Sequence, residues 1–213
     1  MKIAAIVPAY NEADSIRNVV EELLAVAISH KIQLTVVVVN DCSTDNTGKI
    51  IDQLPCIALH LPVNLGIGGA MQTGFKYAFE NNFDFAIQVD GDGQHPAAEI
   101  PKIISGAIEN KWDVTIGSRF LTKEGFQSSS MRRAGIKYFS RLNKMLTGFS
   151  ISDTTSGFRL LNKNALAIVN EYYPDEYPEP EAIVLYSRKK LRVGEVQVQM
   201  RERQGGVSSI NSV

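Results

Sequence analysis

Two aspartates separated by one glycine, Asp90-Gly91-Asp92, close an apolar run that begins at Phe85. The run is short, apolar and bounded by turn residues, so it reads as a buried strand. Gly91 and Gly93 turn the chain, and Pro96 suits the first turn of a helix. In extended chain Asp90 and Asp92 would point the same way. Two like charges at a strand end repel unless something offsets them. A hard divalent cation would do so, because it takes carboxylate, amide, water and phosphate oxygens, and Gln94 adds an amide oxygen. Asp-Gly pairs are also ordinary solvated turns, so spacing alone supports both readings.

The elements that would position this pair alternate in type. Lys2–Pro8 and Leu34–Val39 are apolar runs, the second rich in β-branched residues with both faces apolar, as in a strand covered on both sides. Cys56–Leu61 is a third strand and the run into Asp90 a fourth. Between them, Ile16, Val19, Val20, Leu23, Leu24 and Ala27 follow helical spacing, with Asn11 as a cap ahead of them. Met71, Phe75, Ala78 and Phe79 mark another helix, and Ile100 to Ile108 a further one. Val114–Gly117, Phe158–Leu161 and Val193–Val198 read as strands, and Arg132 and Arg133 open a helix reaching Leu146. Residues 121–131 read as a loop. Residues 172–181 hold three prolines and predict irregular chain, with Pro180 able to start the next helix. The alternation argues for an α/β fold with a mostly parallel sheet. Ligands bind outside the carboxyl ends of such strands. Tyr10, Asp41, Asn64 and Asp90 each follow a strand and should gather along one edge.

Composition sets limits. The 213 residues fit one large domain, and 44% hydrophobic with 21% charged residues is ordinary for a globular protein. A net charge of −1 gives no whole-protein attraction to nucleic acid or to an anionic membrane. Cys42 and Cys56 lack metal-ligand spacing and suit a reducing compartment. The chain starts in a strand without a signal peptide and has no run long enough to span a membrane. These features point to a cytoplasmic protein that could still dock peripherally on a membrane. They fix no oligomeric state.

Gly66-Ile67-Gly68-Gly69 opens a helix and could expose N–H groups to an anion, or only let the helix pack closely. It is not the full dinucleotide fingerprint, and no P-loop motif occurs. His95 abuts the acidic pair in a structural or supporting role. A metal with a diphosphate at a strand edge suits a reaction whose leaving group is a nucleoside diphosphate. Arg201 and Arg203 could close over its phosphates, or belong to a solvated tail.

Six blocks in order carry a family resemblance: Pro8-Ala-Tyr-Asn-Glu12, Val39-Asn-Asp41-Cys-Ser-Thr-Asp45, Asn64–Ala70, Asp90–Pro96, Gly117-Ser-Arg119 and Ser156-Gly-Phe-Arg159. Together they resemble a family 2 glycosyltransferase of the dolichol-phosphate mannosyltransferase-like branch, over roughly residues 2–203. The resemblance implies a GT-A fold: a Rossmann-like, mostly parallel sheet with helices on both faces. It implies one domain over 1–203, with a donor half to about 96, an acceptor half beyond, and a flexible tail at 204–213. It implies an inverting transfer of a hexose from a UDP- or GDP-sugar in cell-surface polysaccharide or glycolipid synthesis. Pro8, Tyr10, Glu12 and Asp41 would line the nucleoside pocket, with Gly68 and Arg201 on the donor. Asp90, Asp92 and Gln94 would hold Mg2+ or Mn2+. Arg119 and Arg132 would contact an acceptor phosphate.

That branch tends to carry a serine four residues after the second arginine, where this chain has Ile136. This departure and the acidic Glu179–Glu181 segment speak for a saccharide hydroxyl over a polyprenyl phosphate, and both acceptors stay open. A hydroxyl needs a general base. Asp153 and Glu181 are the choices, Glu181 preferred, although either could be a turn or cap residue. Rival classes are a sugar nucleotidyltransferase, disfavoured by Ala9-Tyr-Asn-Glu12 where a basic loop belongs, and a non-catalytic nucleotide-sugar sensor.

Overall fold

The apolar runs become neighbours in one sheet in the computed structural model, which describes residues 1–121, 144–145, 147–175 and 177–201. The strands are β1 (Lys2–Ala9), β2 (Gln33–Asn40), β3 (Ile57–His60), β4 (Phe85–Gln88), β5 (Val114–Ser118), β6 (Arg159–Asn162) and β7 (Val193–Gln197). Their order is β3-β2-β1-β4-β6-β5-β7. Only β6 runs antiparallel to its neighbours β4 and β5. The parallel strands therefore present their carboxyl ends on one edge, and β6 starts from that same edge.

Helices cover both faces, as the alternation predicts. They are α1 (Ile16–Ser29), α2 (Thr47–Ile51), α3 (Gly66–Glu80), α4 (Ile100–Asn110), α5 (Lys163–Glu171) and α6 (Pro178–Arg188). Ile3, Ala5 and Val7 of β1 pack with residues of α1 and α4 on one face. Ala4 and Ile6 pack with residues of α3, α5 and α6 on the other. A strand buried on both faces needs its continuous apolar run, since alternate residues enter opposite cores. Among the described residues, no helix is long and apolar enough to cross a membrane.

Four elements differ from expectation. Helix α1 starts at Ile16, not beside Asn11. Asn11 takes a left-handed conformation (φ 56°) and its Oδ1 accepts the N–H of Thr44, so it caps the loop after β2 instead. β4 stops at Gln88, two residues before Asp90. Helix α5 has no counterpart in the sequence reading, because its apolar stripe is short (Ala165, Leu166, Val169). Asn162 starts it, accepting the N–H groups of Asn164 and Ala165. Helix α6 begins at Pro178, so both Pro178 and Pro180 sit in its first turn. Proline is tolerated there because those N–H groups have no intrahelical partner. Residues 122–131, the arginines 132–133, Ile136, Leu146 and Arg203 lie outside the described residues.

Candidate functional site

The carboxyl edge gathers Tyr10, Asp41, Asp90 and Arg119 just beyond β1, β2, β4 and β5. Its donor side is knitted by hydrogen bonds to backbone. Asp41 is buried, and its Oδ1 accepts the Leu65 N–H at 2.7 Å, holding the start of α3. Glu12 accepts the Ser15 hydroxyl at 2.8 Å, and the same hydroxyl lies 2.7 Å from the Gly91 carbonyl oxygen. The end of β1 is thus tied to the acidic turn. Pro8 is buried within β1, and Tyr10 stands exposed at the edge.

The acidic pair is not extended. The Gly93 N–H points back to the Asp90 carbonyl at 3.5 Å, so residues 90–93 form a turn. The premise of the extended-chain expectation for Asp90 and Asp92 therefore does not hold. The Asp90 side chain is 31% exposed, whereas Asp92 is 3% exposed and its Oδ1 accepts the Gln94 N–H. Gln88 Nε2 donates to Asp90 Oδ1 at 3.1 Å. His95 supports the turn from within. Its Nδ1 accepts the Asp90 N–H at 3.0 Å, its Nε2 lies 3.6 Å from Asp90 Oδ2, and its ring stacks on Phe158.

The donor chemistry fits a hard cation. Two carboxylates and one amide oxygen are too few for an all-protein cage, and no group of three His, Cys, Asp or Glu suited to a metal occurs among the described residues. Mg2+ in particular is commonly held by one or two carboxylates with substrate phosphates completing its shell.

Beyond β5 and before β6 the groups are charged and paired. Arg119 donates to Asp153 through Nε and Nη2, both at 2.7 Å, and its backbone N–H adds a third bond at 3.0 Å. Asp153 is fully buried. Both its oxygens face Arg119, which corrects its expected place as a base open to substrate. Burial works against the charged Arg119 guanidinium, but the bonds and charge of Asp153, with the charge of Asp90, outweigh it and raise the pKa. Gly157 brings this loop against the acidic turn: a Cβ there would lie 2.5 Å from Gln88 Nε2 and 3.4 Å from Asp90 Oδ1. Arg132, expected beside Arg119 on an acceptor phosphate, lies outside the described residues.

Glu181 is exposed on α6, so the preferred base faces solvent. Glu179 is half-buried. It shares the helical stripe of Ile183 and Tyr186, which are completely buried, because positions 0, 4 and 7 fall on one face. Burial pushes its carboxyl pKa up; buried Arg159 pulls it down and nearby Asp90 pushes it up again. Sequence reasoning missed Glu179 because it placed the helix start two residues late; the 179-183-186 spacing was the available signal.

Two donor-side assignments also move. Gly68 is buried, and a Cβ on it would lie 2.4 Å from the Pro174 carbonyl oxygen. It serves close packing of α3 on that segment, not an open phosphate cradle. Arg201 docks its backbone N–H on the Gln94 carbonyl, but its guanidinium pairs with Glu22 of α1 at 2.7 Å, turned to that helix and not to a diphosphate.

Comparison with known proteins places this edge in context. The model of glycosyl transferase family 2 matches residues 4–168. A UDP-N-acetylglucosamine–dolichyl-phosphate N-acetylglucosaminyltransferase of Methanococcus voltae is 32% identical over 92% of this chain and 84% of the relative. A polyprenol monophosphomannose synthase of Mycolicibacterium smegmatis is 26% identical over 97% of this chain and 80% of the relative. Among solved structures, S. aureus TarS 1-349 in complex with UDP-GlcNAc superposes with a TM-score of 0.69 at 23% identity. That match covers all of this chain, which spans 62% of the TarS chain. Glucosyl-3-phosphoglycerate synthase from Mycobacterium tuberculosis, in complex with Mn2+, UDP and glucosyl-3-phosphoglycerate, superposes at 0.70 with 15% identity, over 97% of this chain and 73% of that one. These likenesses show the GT-A fold.

Proposed function

This chain belongs to glycosyl transferase family 2, and from that premise we propose that it transfers a sugar, with inversion, from a UDP- or GDP-sugar to a polyprenyl phosphate. The observation that carries the reading is the placing of Asp90 and Arg119 just beyond β4 and β5 at one sheet edge, with the loop at Gly157 packed against Gln88 and Asp90. The relatives from Methanococcus voltae and Mycolicibacterium smegmatis, whose names carry dolichyl phosphate and polyprenol, support the acceptor class. Those names carry an N-acetylhexosamine and a mannose, so the transferred sugar stays a hexose or its N-acetylamino form.

Asp90, Asp92 and Gln94 would hold Mg2+ or Mn2+, which when bound would neutralise charge on the departing diphosphate. Tyr10, Glu12 and Asp41 frame the nucleoside end, in the donor half that runs to about residue 96. Arg119 presents its guanidinium to the acceptor phosphate. A phosphate oxygen is already ionised and attacks the anomeric carbon from the side opposite the leaving diphosphate, so no base is needed. A polyprenyl acceptor would bring the protein peripherally to a membrane from the cytoplasm.

A second reading has one specific observation behind it: Glu179, not exposed Glu181, shares the α6 stripe of buried Ile183 and Tyr186, and its carboxyl feels the charges of Arg159 and Asp90. A saccharide hydroxyl could give its proton to that carboxylate. The test offers UDP- and GDP-sugars with Mn2+ or Mg2+ to polyprenyl phosphate and to oligosaccharides, following nucleoside diphosphate release and the anomeric configuration of product. Polyprenyl-phosphate sugar of inverted configuration is expected. Transfer only to oligosaccharide, abolished in Glu179→Gln, would replace the first reading by the second. Pyrophosphate release from a nucleoside triphosphate and a sugar phosphate would sink both.

A further inference from the structure

Arg119 does not stand alone at the edge. Its Nε and Nη2 are fixed by Asp153, and Nη2 also reaches the Thr155 hydroxyl at 3.1 Å. Nη1 carries no such bond among the described residues. Asp153 itself sits on a loop held from two sides by groups of opposite charge. On one side Glu195 of β7 accepts the Ser152 N–H at 2.7 Å with Oε2 and the Asp153 N–H at 2.9 Å with Oε1. On the other, buried Arg159 of β6 donates Nε to the Ser156 carbonyl at 2.7 Å and Nη2 to the Thr154 carbonyl at 3.0 Å. Ser156 adds a 2.6 Å bond to the Gly117 carbonyl, stitching the loop to β5 two residues before Arg119. A carboxylate takes the loop's donors, and a guanidinium takes its acceptors.

We propose that Glu195 and Asp153 are positioning residues, which hold the Arg119 guanidinium so that only Nη1 is offered to the acceptor phosphate. The proposal rests on the polyprenyl-phosphate reading for its kinetic consequence, but its structural part stands apart from any acceptor. Glu195 supplies both acceptors of the loop's N–H pair, so the loop that presents Asp153 keeps its shape. Asp153 occupies the fork of the guanidinium. The phosphate therefore meets one nitrogen end-on, in a geometry that lysine could not reproduce, because lysine has no second nitrogen for Asp153 to hold. The cost of reorganising a long side chain at each encounter is removed, as in preorganised sites generally.

The test uses the full chain and Glu195→Gln, which keeps size but replaces one accepting oxygen with a donor. Without substrates, the Arg119 Nε–H proton and the amides of Ser152 and Asp153 are followed by NMR. In the parent protein all three are expected to be protected, and in E195Q to exchange about tenfold faster or more. In turnover, E195Q is expected to raise the KM for polyprenyl phosphate about tenfold while kcat stays within about twofold, and donor KM does not move. In an Arg119→Ala background, E195Q should add nothing, since it acts only through Arg119. Should E195Q not fold, Asp153→Asn gives the same Nε–H readout. Equal protection in parent and variant overturns the proposal, and so does an additive double variant. Lost protection in E195Q together with an unchanged acceptor KM in R119A upholds the positioning and instead counts against Arg119 as the phosphate contact.

Discussion

From β1 to β4 the polar groups at the sheet edge are held by hydrogen bonds to backbone: Asn11 on the Thr44 N–H, Asp41 on the Leu65 N–H, Ser15 on the Gly91 carbonyl. From β5 to β7 the same work falls to charges. Asp153 is enclosed against Arg119 and Arg159 is enclosed against carbonyls, while at the opposite, amino end of β5 Asp113 is enclosed against Arg192 and two asparagines. The contrast follows from topology. The first half is a run of parallel strand-helix units, each of which returns its chain to the edge on its own. The second half inserts antiparallel β6 between β4 and β5, so distant segments must be joined there. Charged hydrogen bonds are the stronger kind.

If the contrast holds, Asp90→Ala should cost function and little else. Turnover is expected to fall about a thousandfold, ~4 kcal/mol in the barrier. Stability should stay within about 1 kcal/mol, because the side chain is partly exposed. Measuring kcat beside thermal unfolding checks both. A large stability loss would make the acidic turn structural after all.

Arg159→Met should do the reverse. The Thr154 and Ser156 carbonyls lose their donors inside the protein, and each such loss costs about 1–3 kcal/mol, so about 3 kcal/mol in denaturant unfolding is expected. A neutral result would mean that the loop finds other partners and that buried charge is not what holds the acceptor side.

The same contrast explains what could be read from the sequence. Strands β1 to β4 and the helices between them announce themselves by runs and periods, and their ends carry the donor residues in order. The acidic pair and Arg119 were visible as residue types at strand ends. Hidden were the partners. Nothing in the spacing of Asp153 or Glu195 reveals that one serves Arg119 and the other serves the loop, since those bonds span 34 and 42 residues. Glu179 was hidden by two prolines that read as loop but begin a helix. Gly68 was ambiguous because a helix-opening glycine serves an anion and a close neighbour equally well; only the position of Pro174 decides.

Gly68→Ala tests that seam between the halves. With the carbonyl of Pro174 in the way, backbone must shift, and about 2 kcal/mol of stability should be lost. A donor KM that moves while stability does not would return Gly68 to the donor site.

Asp113 offers a smaller, pH-dependent test on the acceptor side. Burial raises its pKa, but the Arg192 N–H, Asn162, Asn164 and the Arg192 charge outweigh it and hold it below the usual range. A depressed carboxylate adds stability above its unfolded pKa and loses it as pH falls through the folded value. Asp113→Asn should therefore be less stable by about 1 kcal/mol at neutral pH, with the gap closing below about pH 4. Glu179 has the opposite sign. Its raised pKa gives stability that is present in acid and lost as pH rises through that value. A gap for D113N that widened in acid would contradict the assignment.

The smallest effect belongs to the one charged pair tying the end of the described chain to the donor side, Arg201 with Glu22. Both side chains are more than 40% exposed, so solvent screens them. Exposed pairs of this kind contribute about 0–1 kcal/mol, less at high salt. Glu22→Gln should shift unfolding by no more than about 0.5 kcal/mol, and 1 M salt should erase the difference. Its value lies in the donor KM. Arg201 is anchored by its backbone to Gln94, beside the acidic turn, so a guanidinium released from Glu22 is free to swing toward a diphosphate. If Glu22 competes with the donor for that arginine, E22Q lowers the donor KM, by about twofold for a pair this weak. If the KM stays put, the pair is idle in donor binding.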